Sequence, residues 1–114
     1  MSDKPNIVLI MTDQQRWDTL ACLGFEHVIT PNIDRLAGRG IAFTNAYVQG
    51  AVCGPSRNSI VSGMYVHSHG VEQNERWLRP DQPNWIESLR AGGYHTVNIG
   101  KMHTAPLRLP VGFD

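Results

Sequence analysis

Residues 7–11, Ile-Val-Leu-Ile-Met, form a continuous apolar run that is rich in β-branched side chains and is followed by the polar residues 12–15, Thr-Asp-Gln-Gln. Such a run is typical of a strand that is buried on both faces, as in a parallel sheet. Open α/β sheets bind their ligands at the carboxyl ends of the strands, which is where Asp13 and Gln14 would lie. This segment therefore predicts an α/β fold with two candidate ligand-binding residues at one edge of its sheet.

The rest of the chain alternates between helix and strand patterns. Three segments have apolar residues at helical spacing with Pro or Gly near their ends, and Thr30 is the expected N-cap of the first: 30–38, 56–64 and 83–92. Two more segments are predicted strands, 41–48 and 94–99, and residues 67–81 are predicted to be an irregular surface segment. The order β, α, β, α, α, β indicates an α/β domain with a mostly parallel sheet.

Charge and cysteine usage narrow the classes of protein to which the chain can belong. Ten Lys and Arg balance ten Asp and Glu, and the pI is near 7.0, so there is no basic footprint for nucleic acid or for an anionic membrane. The apolar run at residues 7–11 is too short to cross a bilayer, and no apolar signal segment follows the N-terminus. We expect a cytoplasmic protein in which Cys22 and Cys53 are free thiols.

Four separated segments resemble one enzyme family. Residues 53–63, Cys-Gly-Pro-Ser-Arg-Asn-Ser-Ile-Val-Ser-Gly, are similar to the signature of type I sulfatases, in which Cys-x-Pro-Ser/Ala-Arg precedes a small residue and Gly. Residues 5–13, 30–40 and 100–103 resemble the family's first strand with its metal-binding Asp, its Thr-Pro-Asn-x-Asp-x-Leu-Ala helix and its Gly-Lys-x-His segment. The resemblance implies that residues 1–114 are the N-terminal, incomplete part of a catalytic domain with an alkaline-phosphatase-like α/β sandwich fold.

The resemblance also implies a reaction and its cofactors. In this family a formylglycine-generating enzyme oxidises the residue at the position of Cys53, and the resulting aldehyde hydrates to a geminal diol. One hydroxyl attacks the sulfur of a small-molecule sulfate ester and displaces the alcohol. The other hydroxyl then loses its proton, the aldehyde re-forms and sulfate is expelled, which is covalent catalysis. Asp13, Gln14 and the group at position 53 would bind a divalent metal, for which Ca²⁺ is expected and Mn²⁺ or Mg²⁺ are the alternatives.

Three further side chains are candidate catalytic groups. Arg57 comes four residues after Cys53, about one turn into the predicted helix, so its guanidinium can turn back to an oxyanion at position 53. Lys101 and His103 are two residues apart and would project to the same side of an extended segment. By the resemblance, Lys101 binds a sulfate oxygen and His103 hydrogen-bonds the diol or assists proton movement.

Some alternatives stay open at this point. The pair Asp13-Gln14 resembles the choline sulfatase and phosphonate monoester hydrolase branches of the alkaline phosphatase superfamily, whereas many sulfatases carry a second Asp in place of Gln14. A phosphonate monoester or phosphodiester hydrolase is therefore an alternative, as is an inactive fragment in which Cys53 stays unmodified. His67 and His69 have a spacing that could suit a metal, but no third ligand is evident, so we expect them to be structural or at the rim of a pocket.

Overall fold

The computed structural model describes residues 4–103 and 111–114. The chain divides into two compact units, Met1–Ala46 and Tyr47–Asp114, and each is treated by itself below. Within the described residues a short 3₁₀ helix, Ala21–Leu23, precedes four α-helices: α1 (Pro31–Arg39), α2 (Cys53–Ser62), α3 (Val66–His69) and α4 (Trp85–Ala91). No helix within the described ranges is long and apolar enough to span a membrane.

The first unit is organised around α1. Helix α1 begins at Pro31, as predicted, and runs to Arg39, slightly beyond the predicted end at residue 38. Thr30 occupies the N-cap position, but its side chain makes no capping bond. Its hydroxyl instead accepts a hydrogen bond from the Ala21 N–H at 3.1 Å and donates one to Asp34 Oδ1 at 2.9 Å. Thr30 therefore ties the 3₁₀ helix to α1, because a hydroxyl can donate and accept at once.

The predicted strands are not formed in the part of the chain that the structure describes. Residues 7–11, 41–48 and 94–99 have no strand assignment, and Ile10 is 82% exposed. A strand satisfies its backbone N–H and C=O groups only by pairing with a neighbour, and none of these segments pairs with another. The helices predicted from the sequence are confirmed, whereas the sheet is not.

The second unit is built on α2. This helix begins at Cys53, three residues before the predicted start, and ends at Ser62, two residues before the predicted end; its C-cap, Gly63, has a left-handed φ of 70°. Pro55 is tolerated in the first turn because the N–H groups there have no partner within the helix. Val61 is buried, but Ile60 is 42% exposed, and much of the buried face of α2 is polar because it includes Arg57, Asn58 and Ser59.

A small apolar core holds α2, α4 and the segment between them. Val61, Val71, Leu78 and Ile86 are buried together. The predicted irregular segment contains one helical turn, α3, and α4 is capped by Asn84, whose side chain accepts a hydrogen bond from the Ile86 N–H at 3.0 Å. The Asn84 amide also donates to the Val111 carbonyl at 3.0 Å, so one side chain both starts α4 and holds the end of the chain.

Candidate functional site

Cys53 is the first residue of α2, and its side chain contacts Asn74. The Cys53 Sγ lies 3.6 Å from Asn74 Oδ1, and the same oxygen accepts a hydrogen bond from the Gly54 N–H at 2.8 Å. N–H groups in the first turn of a helix have no partner within the helix, so Asn74 caps α2 from 20 residues away. Asn74 is not predictable from the sequence, because a lone Asn in an irregular segment gives no local signal of this contact.

The absence of a side chain at Gly54 allows Asn74 to come this close. A Cβ atom at position 54 would lie 2.8 Å from Asn74 Oδ1 and 3.1 Å from Asn74 Cα. Real Cβ atoms do not approach other atoms at the shorter of these distances. Gly54 therefore contributes to the site by leaving room for the turn that carries Asn74.

Arg57 links α2 to the segment that contains the other candidate catalytic residues. Its Nη1 donates a hydrogen bond to the Lys101 carbonyl oxygen at 2.6 Å, across 44 residues of chain, and the residue is only 9% exposed. A buried charge is tolerated when its donors are satisfied. The sequence predicted that Arg57 would turn towards position 53, whereas the bond described here is to the backbone of Lys101. Arg57 thus fixes the Lys101–His103 segment against the helix that begins at Cys53.

His103 carries two unfavourable features at once. Its φ is 64°, in the left-handed region that non-glycine residues rarely adopt, and its buried Nδ1 has no hydrogen-bond partner among residues 4–103 and 111–114. A buried polar atom without a partner costs about 1–3 kcal/mol. Strained backbone and unsatisfied polar atoms are concentrated at functional sites, so the geometry supports the choice of His103 as a candidate site residue. Lys101, two residues earlier, is exposed.

Asp13 and Gln14 belong to the first unit, where they form a bend directly after the apolar run 7–11. Both residues are exposed, and the Asp13 carbonyl accepts a hydrogen bond from the Gln15 N–H at 2.8 Å. Carboxylate and amide oxygens suit Ca²⁺, Mg²⁺ or Mn²⁺. Within the described ranges no group of three or more His, Cys, Asp or Glu could hold a metal, so the donor chemistry fits such a cation while the ligand set is partial.

His69 has the structural role that the sequence analysis expected of it. It is 2% exposed, its Nδ1 accepts a hydrogen bond from the Val71 N–H at 3.0 Å, and its Nε2 lies 2.9 Å from Ser59 Oγ. Because Nδ1 is an acceptor, the neutral ring carries its proton on Nε2 and donates to Ser59. Burial, with the nearby His67, lowers the pKa of His69. His67 is exposed and stacks on Tyr65, with 5.6 Å between the ring centroids.

The two cysteines form no disulfide, as predicted. Cys22 is exposed, and its pKa is raised by partial desolvation and by the neighbouring carboxylate of Asp34. Of the two thiols, Cys53 is the one at the first position of an α-helix.

Comparison with known proteins identifies the family. The family model described as Sulfatase matches residues 5–109. The chain is 47% identical over 111 residues to an arylsulfatase of Clostridium perfringens, which covers 96% of this chain and 23% of the relative. It is 39% identical over 111 residues to an N-acetylglucosamine-6-O-sulfatase of Bacteroides thetaiotaomicron, which covers 97% of this chain and 20% of the relative.

A solved structure agrees with these matches. The crystal structure of yidJ from Bacteroides fragilis, a protein assigned to the sulfatases, superposes with a TM-score of 0.83 at 38% identity, covering 91% of this chain and 24% of that chain. This neighbour implies an alkaline-phosphatase-like fold. The chain belongs to the sulfatase family, as its motifs predicted. It spans about a fifth to a quarter of the length of the relatives it matches.

Proposed function

We propose that the complete protein hydrolyses organic sulfate esters, with position 53 as the nucleophile after conversion to formylglycine. The observation that carries the proposal is the placement of Cys53 at the start of α2, with Sγ against Asn74, on the same helix whose Arg57 holds the Lys101 backbone. The relatives named arylsulfatase and N-acetylglucosamine-6-O-sulfatase support this reaction class. Family membership together with this constellation favours sulfate over other esters.

The roles of the chain's own residues follow from charge and position. Formylglycine at position 53, once formed and hydrated, supplies the hydroxyl that attacks sulfur and the second hydroxyl whose ionisation releases sulfate. The N-terminus of the ten-residue helix α2 stabilises negative charge at this position. Lys101 supplies an ammonium charge to a sulfate oxygen. His103, with its partly buried imidazole, holds or moves a proton beside position 53.

Asp13 and Gln14 are the metal ligands that this part of the chain would supply. They offer a carboxylate and an amide oxygen, and the group at position 53 would be a third ligand. Ca²⁺ is the expected ion, because it accepts neutral and charged oxygen ligands in flexible geometry, and Mn²⁺ or Mg²⁺ are the alternatives. Such a cation, when bound, offsets the negative charge of the sulfuryl oxygens.

A second candidate is a phosphonate monoester or phosphodiester hydrolase. The feature that favours it is Gln14, which stands where many sulfatases have a second Asp. A neutral amide in place of a carboxylate changes the charge around the metal, and with it the preferred charge of the substrate. The Lys101 and His103 pair weighs in the other direction, towards sulfate esters. The third alternative is a chain in which Cys53 is never modified.

Mass spectrometry and a substrate panel test the proposal together. The complete protein, co-expressed with a formylglycine-generating enzyme, is expected to yield a tryptic peptide containing position 53 that is lighter than the cysteine form by about 18 Da. The modified protein should hydrolyse an aryl sulfate, choline sulfate or N-acetylglucosamine 6-sulfate, and the Cys53→Ala variant should hydrolyse none of them. Turnover of a phenyl phosphonate monoester with no sulfate ester hydrolysis would establish the second candidate instead. A peptide that keeps the cysteine mass would establish the third.

A further inference from the structure

Two side-chain amides hold Gly54, the residue that follows Cys53, from opposite ends of its backbone. Its N–H donates to Asn74 Oδ1 at 2.8 Å, and its carbonyl accepts from Asn58 Nδ2 at 2.8 Å. Asn58 lies one turn further along α2 and has no exposed surface. Burying an amide is unfavourable unless its donor and acceptor are both used, so the partners of Asn58 account for its position.

The other end of the Asn58 amide reaches the segment that carries Asn74. Asn58 Oδ1 accepts a hydrogen bond from the Leu78 N–H at 3.1 Å, and Leu78 is itself buried in the apolar core. Between Asn74 and Leu78 the chain makes a turn in which Glu75 has a left-handed φ of 68°. Asn58 therefore bridges Gly54 to residues 74–78, and those residues carry the amide that contacts Cys53.

The turn has a second anchor at its other end. Val71 donates its N–H to His69 Nδ1 at 3.0 Å, and His69 is hydrogen-bonded to Ser59 on α2. The residues on either side of Asn74 are thus attached to α2 at both ends. Of these two attachments within the described residues, the one through Asn58 also contacts Gly54, the residue next to position 53. Asn58 therefore supports the direct bond between Gly54 and Asn74, because it holds Gly54 and the end of the turn at Leu78 together.

We propose that Asn58 is a positioning residue for the reaction at position 53, and that it acts by holding Asn74 against Gly54 and the side chain of residue 53. It touches no substrate, since it is fully buried. Displacing a group in an active site by about 1 Å can lower the rate by about a hundredfold. The kinetic part of this inference rests on the proposed sulfatase function, whereas the structural part does not.

Hydrogen exchange at the Gly54 amide tests the structural part without any activity. The Gly54 N–H lies in the first turn of α2, so its protection depends on Asn74. In ¹⁵N-glycine-labelled complete protein, Asn58→Ala and Asn74→Ala should each speed exchange at Gly54 by about tenfold, the effect of one lost hydrogen bond. Asn84→Ala is the matched control, because Asn84 also makes one donor and one acceptor bond to backbone atoms elsewhere in the same unit. It should leave Gly54 protected.

A double-mutant cycle tests the kinetic part. Asn58→Ala should lower kcat/KM for an aryl sulfate by about tenfold to a hundredfold. In an Asn74→Ala background the same substitution should change kcat/KM by less than about twofold, since coupled residues are not additive. Asn84→Ala should act alike in both backgrounds. If Asn58→Ala does not fold, Asn58→Ser takes its place in both measurements.

The outcomes separate this inference from the proposed function. Unchanged exchange at Gly54 in a folded Asn58 variant would overturn the positioning role, and so would an equal loss of kcat/KM in both backgrounds. A formylglycine-bearing protein without sulfatase activity would instead refute the proposed function, while the exchange measurement would still decide whether Asn58 holds Asn74.

Discussion

The Arg57 guanidinium donates a hydrogen bond to the carbonyl oxygen of Lys101 at 2.6 Å, although the two residues are 44 positions apart. One end of this bond is on the helix that starts at Cys53, and the other is on the segment that ends at His103. Two motifs that sequence similarity treats as separate are therefore parts of one local structure. The bond also gives Arg57 a role in addition to any contact with the substrate, because the orientation of Lys101 and His103 depends on it.

Shortening the donor at Arg57 should therefore disturb the site while keeping its charge. Arg57→Lys replaces a planar fork by a point charge on a different stem, and we expect kcat/KM for an aryl sulfate to fall by about tenfold to a hundredfold. Arg79→Lys is the matched control, since Arg79 is exposed and paired with exposed Asp81. It should change kcat/KM by less than about twofold. Equal activity of wild type and Arg57→Lys would show that the bond to Lys101 does not orient the site.

Removing the sulfur at position 53 should abolish turnover without unfolding the protein. Cys53→Ala deletes only the atom that lies against Asn74, and the residue is outside the buried apolar cluster. We expect no detectable sulfate ester hydrolysis and a thermal midpoint within a few degrees of wild type. Cys22→Ala, which removes the exposed thiol, should keep full activity and the mass loss at position 53. Activity in a Cys53→Ala protein would remove residue 53 from the mechanism.

Neutralising Asp13 should weaken metal binding. Asp13→Asn keeps the shape of the side chain but removes the charge that favours a hard divalent cation. We expect calorimetric titration of the demetallated complete protein with Ca²⁺ to show at least about tenfold weaker binding, with activity lost in parallel. Asp18→Asn is the control in the same unit, because Asp18 is paired with Arg16. Full activity of Asp13→Asn in chelator-treated buffer would rule out the metal role.

The lowered pKa of His69 should make stability depend on pH in a defined range. The unfolded chain takes up a proton near the ordinary histidine pKa of about 6.5, whereas burial lowers the pKa of the folded His69 below that value. The contribution of neutral His69 to the free energy of unfolding is therefore fully present above about pH 6.5 and is lost as the pH falls below that value. We expect the urea midpoint of unfolding to drop between about pH 6.5 and 5, and acidic groups whose pKa is lowered by folding, such as Asp114, to contribute below about pH 5.

Two variants isolate the contribution of His69. His69→Gln cannot take up a proton, so its urea midpoint should vary less with pH across this range than that of wild type. His67→Gln removes the exposed neighbour and should reduce the pH dependence only in part, because burial is the larger cause of the lowered pKa of His69. A wild-type midpoint that is constant between about pH 6.5 and 5 would contradict the assignment of a neutral His69.

Gly112 should tolerate no side chain. Its φ is 93°, and a Cβ at this position would lie 2.5 Å from Glu87 Cγ and 3.1 Å from Glu87 N. Gly112→Ala should lower the free energy of unfolding by about 2–4 kcal/mol, because overpacking adds to backbone strain. Gly100→Ala is matched for the backbone, with φ 104° and no atom within 4 Å of the added Cβ. Gly100→Ala should lower the free energy of unfolding only by the backbone strain, about 1–2 kcal/mol. An equal decrease in the free energy of unfolding in the two variants would mean that Glu87 moves away from the added Cβ at no energetic cost.

The helices show how far local sequence patterns predict structure. Pro31 at the start of α1 and Gly92 beyond the end of α4 mark helix boundaries that the structure confirms to within a few residues, whereas α2 ends at Ser62, two residues before its predicted end. These are local signals, set by the fixed φ of proline and the permissive φ of glycine. The start of α2 was predicted three residues after its actual position, because the local sequence does not show that Asn74 caps the helix at Gly54.

The predicted sheet shows what local sequence patterns do not determine, namely which segments pair with each other. The apolar run at residues 7–11 is a clear strand pattern, yet its side chains remain exposed and it pairs with no other segment in the described ranges. A strand requires a partner, and the choice of partner is not encoded in the strand itself. By contrast, α2 forms in the second unit because its backbone bonds are internal and its buried face has a packed neighbour.

For the site, the sequence by itself determined the family and supplied six candidate residues: Cys53, Arg57, Lys101, His103, Asp13 and Gln14. The tertiary structure decided which of these residues are joined, that Arg57 bonds the Lys101 backbone, and that Asn58 and Asn74 hold Gly54. It also showed that Nδ1 of His103 is buried without a hydrogen-bond partner among residues 4–103 and 111–114. Motifs identify reactive groups because chemistry depends on side-chain type, whereas contacts across 20 to 44 residues depend on how the chain turns back on itself.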